Sequence, residues 1–112
     1  MSELANQSCE ACQAGAPKLT DSELQNVLNE LPEWQIQEVD GVKQLVREYK
    51  FKNFVKAMDF AVKVGEVAEE HNHHPELTVT WGETKVVWWT HKINGLHHND
   101  SVMAAKTDGL YA

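Results

Sequence analysis

All six histidines of this chain fall between His71 and His98. His71, His73 and His74 crowd one short stretch, His91 follows at a distance, and His97 and His98 come just ahead of Asp100. Imidazole titrates close to neutral pH, so it can both give and take protons there. Three chemistries are open to such a cluster. One is a metal centre, with histidines from His71, His73, His74 and a distant partner joined by Glu69 or Glu70. The spacing is not the HExxH of a helical zinc site. The second is a metal-free acid–base site beside an aromatic wall, suited to proton transfers on a flat, nitrogen-rich substrate. The third is ordinary polar residues at strand ends, satisfied by loops and water. That last reading suits His97 and His98, which precede a helix. Three imidazoles brought to one end of a hairpin favour the acid–base site. Glu69 and Glu70, taken alone, read as a solvated helix end.

The elements that position these residues can be read from periodicity. Thr20 and Glu23 have capping-box spacing, and Leu19 and Leu24 that of a hydrophobic staple. Leu24, Val27, Leu28 and Leu31 form one helical face, which Pro32 ends. Trp34 to Val39 and Val42 to Phe51 read as strands joined by Asp40-Gly41, a strong hairpin signal. Asn53 can cap a second helix reaching about Glu70, with Phe54, Ala57, Met58, Ala61, Val64, Val67 and Ala68 as its buried stripe. A second hairpin follows Pro75. With Gly82-Glu83 as its loop, Trp81 faces Thr84, Leu77 faces Trp88, Val79 faces Val86, and His74 comes opposite His91. A last helix runs from about His98 to Leu110, with Asp100 in its first turn, where a carboxylate is favoured. The order is α-β-β-α-β-β-α, which predicts an α+β fold: a four-stranded antiparallel sheet with helices packed on one face.

The chain has 112 residues, which suits one domain. Its formal net charge of −7 makes it a poor direct binder of nucleic acid. No apolar run is long enough to suggest a membrane span, and residues 1–13 lack a secretory pattern, so a cytoplasmic location is expected. Cys9 and Cys12 make a lone CxxC with no second pair and no strand-to-helix context. Residues 1–18 are therefore read as a mobile tail without essential chemistry, and residues 19–112 as one domain.

The segment from Glu69 to Asp100 resembles the pterin-4a-carbinolamine dehydratase family. The matching residues are Glu69, His73-His74-Pro75, Trp81, Thr90-His91, Gly95-Leu96 and Asp100, with Trp34 after the first helix. The likeness covers roughly Leu19 to Ala105. One position departs: two residues after the glycine the family usually has Ser or Thr to cap the last helix, and this chain has His97.

The resemblance implies dehydration of a 4a-hydroxytetrahydropterin to the quinonoid dihydropterin, recycling the cofactor of an aromatic amino acid hydroxylase. It implies no metal and no organic cofactor. It makes His73, His74 and His91 the catalytic set, with His73 and His91 in proton transfer and His74 orienting the pterin. Asn72, Trp89, Thr90 and Lys92 flank them as substrate contacts, and Glu69 and Asp100 are candidate orienting groups. It also implies a homodimer or homotetramer. Vertebrate members double as a dimerisation cofactor for a homeodomain transcription factor, which keeps a protein-binding role open as the alternative.

Overall fold

A computed structural model describes residues 18–111. The expectation for Cys9 and Cys12 lies outside the described residues. Helix α1 spans Asp21–Glu30, strands β1 and β2 Gln35–Val39 and Val42–Lys50, and helix α2 Phe54–Glu70. Strands β3 and β4 span Glu76–Thr80 and Glu83–Trp88, a short 3₁₀ turn His91–Ile93, and helix α3 His98–Leu110. The sheet is antiparallel in the order β1-β2-β4-β3. The α+β architecture follows, with its helices on one face of a four-stranded sheet.

Local chemistry accounts for the boundaries. Thr20 N donates to Glu23 Oε1 at 2.8 Å and Glu23 N to Thr20 Oγ1 at 3.2 Å, the reciprocal capping box that starts α1. Asp40 and Gly41 both take positive φ, 53° and 79°, the conformation a tight two-residue hairpin demands. Val39 pairs with Val42 across it. Asn53 accepts from Lys56 N at 2.9 Å and caps α2.

The inward sheet face carries Leu45, Tyr49, Val86 and Trp88, all essentially without exposure. They pack with Leu24 and Val27 of α1, Phe60, Val64 and Ala68 of α2, and Val102 and Met103 of α3. Helix α3 is buried nearly all round, from Asn99 to Ala105. Its Ser101, Ala104 and Ala105 present little side-chain bulk to the neighbouring elements. A second carboxylate, Asp108, accepts from Trp34 Nε1 at 3.0 Å and Arg47 Nη1 at 2.8 Å, and from the Tyr49 hydroxyl. It fastens the far end of α3 to the first hairpin.

Two expectations need correction. The buried stripe of α2 is Ala57, Phe60, Ala61, Val64 and Ala68, whereas Phe54 and Met58 are 44% and 41% exposed. The apolar arc of this helix is wider than the sheet it packs on. The second hairpin turns at Trp81-Gly82, not Gly82-Glu83: Thr80 pairs with Glu83, Val79 with Thr84 and Leu77 with Val86. Gly82 has φ 74°, and a Cβ there would lie 3.2 Å from the Phe51 carbonyl, whose own N–H bonds the Gly82 carbonyl. The slip of two residues keeps each side chain on its expected face and changes its partner. It also removes the facing of His74 and His91. Strand β3 begins after His74, and β4 ends at Trp88, so His91 lies in the 3₁₀ turn.

Candidate active site

The site begins with the way α2 stops. Asn72 is left-handed, φ 52°. Its N–H donates to the Glu69 carbonyl and the N–H of His73 to the Ala68 carbonyl, both at 3.1 Å. This double bonding is a Schellman ending, in which a left-handed Asn replaces the usual Gly. The reversed chain buries His73, 5% exposed, and leaves His74 outside.

His73 is held on two sides. Its Nε2 lies 2.7 Å from Asp100 Oδ1. Its ring stacks on Trp88, with centroids 5.6 Å apart and planes 17° apart. Trp88 is in turn fixed by donating Nε1–H to Thr107 Oγ1 at 3.1 Å. Asp100 is fully buried in the first turn of α3. Its Oδ2 accepts from Thr90 Oγ1 at 2.7 Å and from His97 N at 2.9 Å. A carboxylate only accepts, so the His73 proton on Nε2 points at Asp100. One buried group thus ties the end of α2, the segment after β4 and the start of α3.

Thr90 also closes the loop that presents His91. Its N–H donates to the Gly95 carbonyl at 2.9 Å, and its carbonyl accepts from Ile93 N at 3.3 Å and Gly95 N at 3.4 Å. With its hydroxyl given to Asp100 and the residue 2% exposed, Thr90 is committed to the frame. His91 next to it is exposed and lies flat on Trp89, centroids 4.3 Å and planes 10° apart. Lys92 follows in the same turn, exposed. His74 is exposed with Nε2 2.8 Å from Glu69 Oε1, an open pairing of modest strength.

The remaining histidines serve other ends. His71 caps the C-terminus of α2. His97 caps α3, its Nδ1 accepting from Asn99 N at 3.1 Å, where the family pattern has Ser or Thr. His98 opens α3, half-buried. Among the described residues no three His, Cys, Asp or Glu side chains come close enough to share a metal ion. Trp88 as a partner of His73, and His97 as both cap and Asp100 donor, are roles the sequence reading missed. The second had a visible signal: His97 and Asp100 stand at capping-box spacing.

The structure thus holds a buried carboxylate against one imidazole and sets another imidazole, exposed, on an indole face of an α+β scaffold. Comparison with known proteins gives the family. The family model described as Pterin 4 alpha carbinolamine dehydratase matches residues 17–110. A Saccharophagus degradans protein provisionally named pterin-4-alpha-carbinolamine dehydratase is 55% identical over 99% of this chain and 98% of its own length. One from Marinobacter nauticus, with the same provisional name, is 55% identical over 99% of this chain and all of its own. The crystal structure of a Brucella melitensis protein, titled transcriptional coactivator/pterin dehydratase, superposes with a TM-score of 0.76. It is 34% identical and covers 86% of this chain and 100% of its own. The chain belongs to the pterin-4a-carbinolamine dehydratase family, a family of hydro-lyases.

Proposed function

We propose that this protein removes water from a 4a-hydroxytetrahydropterin to give the quinonoid dihydropterin, and so recycles the pterin cofactor of an aromatic amino acid hydroxylase. The observation that carries the reading is the buried Asp100–His73 pair, joined through the Thr90 hydroxyl to the segment that carries the exposed His91–Trp89 stack. In the reaction the carbon–oxygen bond of the carbinolamine breaks, and the hydroxyl leaves with an added proton as water. The neighbouring ring nitrogen loses its proton, and a carbon–nitrogen double bond forms. No net proton is consumed. Two positioned imidazoles suffice, one to take a proton and one to give it.

On this reading His73 and His91 carry the proton transfers. Asp100 fixes the tautomer of His73 and favours its cationic form during the transfer. His74, steadied by Glu69, orients the pterin. Trp89 and Lys92 contact the ring or its substituents, and Asn72 and Thr90 shape the walls through their backbones. The chemistry calls for no metal and no organic cofactor. No described helix is long and apolar enough to cross a membrane; a cytoplasmic location is part of the proposal.

The protein is also proposed to work as a homodimer or homotetramer. Among the described residues, edge strands β1 and β3 each have one unpaired side, and α2 leaves Phe54, Val55, Met58 and Val62 exposed. Such edges and patches are normally covered.

The test is stopped-flow dehydration of a chemically generated carbinolamine, with the uncatalysed rate subtracted. A turnover that saturates with substrate and survives chelator treatment is expected. No acceleration over background would sink the enzyme reading, and activity lost with a stoichiometric metal would replace it by a metal mechanism.

A further inference from the structure

We propose that His97 is a positioning residue for the dehydration and makes the site of this chain sensitive to acid at a point where a hydroxyl cap would not be. The inference rests on the dehydratase reading above. His97 joins the buried network twice. Its N–H donates to Asp100 Oδ2 at 2.9 Å, and its ring Nδ1 accepts from Asn99 N at 3.1 Å. A backbone N–H can only donate, so Nδ1 must hold a lone pair and the ring must be neutral with its proton on Nε2. A Ser or Thr cap offers a hydroxyl oxygen, which accepts at any pH the fold tolerates.

Protonation at Nδ1 sets a donor against the Asn99 donor. It also places a cation at a helix N-terminus, where the dipole disfavours it. The residue is 8% exposed, so its ring cannot simply swing into water. The first turn of α3 then loses its cap, and that turn carries Asp100. A cationic His97 also competes with His73 for the Asp100 carboxylate. The result is the same in both cases: His73 is less firmly aligned.

Among the described residues, charged and titratable surroundings come from α3, the end of α2, the segment before α1 and α1 itself. Asp100 and His98 belong to α3, and His73 arrives from the end of α2 through Asp100. Lys18 lies along Gly95, 3.1 Å from where a Cβ would stand there, and Leu19 N donates to the Leu96 carbonyl at 2.8 Å. Glu23 of α1 is near enough to His98 to feel its charge. The side chain that bonds His97 directly is that of Asp100, at the His97 N–H.

The experiment compares wild type, His97→Thr and His97→Ala by stopped-flow dehydration from pH 5.5 to 9, with thermal melts of each. Near pH 8, His97→Thr should match wild type in kcat and KM, and His97→Ala should lose roughly fivefold in kcat with KM little changed, the scale of one lost cap. Toward the acid end of that range the wild-type kcat should fall more steeply than that of His97→Thr, because only the wild type can lose its cap to a proton. Imidazole ¹⁵N spectra of the wild type should place the neutral His97 proton on Nε2. Superimposable pH profiles for wild type and His97→Thr would overturn the proposal, as would a proton found on Nδ1 at pH 8. If His97→Ala fails to fold, the threonine comparison still decides. Absence of catalysis by the wild type would instead reject the dehydratase reading itself.

Discussion

At the scale of single residues, Asp100 is the buried hub of the candidate site. It is buried and its three hydrogen bonds join the end of α2, the segment after β4 and the start of α3. Asp100→Asn keeps the shape but offers an N–H toward one of its donors and no longer favours a cationic His73. It should lower kcat by about 10²-fold or more with KM little changed. His73→Ala and His91→Ala should lower kcat by roughly 10²–10⁴-fold. His91→Ala should melt normally, because its side chain is exposed. His73→Ala should also lose a few degrees of Tm, since it abandons a buried carboxylate. Near wild-type rates in both alanine variants would remove the histidines from the mechanism. The placing of these residues is largely legible in the sequence: His73, His74, His91 and Asp100 stand in one readable segment. The stacking of His73 on Trp88 is not, because it depends on a turn geometry no periodicity encodes.

Between residue and fold, each element is set by a few local devices, and these decided what could be read. The capping box of α1, the Asp40-Gly41 turn and the Asn53 cap were plain, because each depends on residues three or fewer apart. The second hairpin was misjudged because two adjacent loops place Gly82 differently. In the observed turn Gly82 is the second loop residue, with positive φ, and a Cβ there would crowd the Phe51 carbonyl at 3.2 Å. The left-handed Asn72 was overlooked for a related reason: Asn is the second choice for a position Gly usually fills. Asn72→Gly should therefore retain or raise Tm and leave KM within about twofold, while Asn72→Val should cost about 1–2 kcal/mol by denaturant melting. A large rise in KM for the glycine variant would show that the Asn72 side chain, not its backbone, meets the pterin.

Tyr49 supplies an alkaline test at the same scale. Burial, reinforced by the neighbouring Asp108, holds its phenol well above the ordinary value near 10. The folded state thus keeps a proton that the unfolded state gives up. Stability from this group is complete below about pH 10 and declines as pH rises past it. Tyr49→Phe should flatten that decline in Tm between about pH 9.5 and 11, at the expense of a lower Tm at neutral pH. An unchanged alkaline slope would place the responsible group elsewhere.

For the molecule as a whole, α2 carries the unfinished business. Its inner stripe is covered, yet Val55 is 66% and Val62 55% exposed. Lys52 and Lys56 stand near its start and Glu66, Glu69 and Glu70 at its end, the reverse of what the helix dipole favours. Two such helices packed antiparallel would set basic starts against acidic ends. Light scattering should give at least twice the chain mass of 12.7 kDa, and Val62→Glu should lower it without unfolding the chain. A wild-type monomer at micromolar concentration would refute the assembly.

Helix α3 is clamped at both ends by carboxylates, Asp100 to the histidine site and Asp108 to the first hairpin, with its middle enclosed. Its amides therefore have no local route to solvent. In deuterium exchange the N–H groups of Val102 to Ala105 should be among the slowest, at the free energy of global unfolding. Those of the exposed His91 turn should exchange orders of magnitude faster. On that outcome the carboxylate that aligns His73 is as persistent as the fold itself, and the part of the candidate site that opens first is the turn that presents His91.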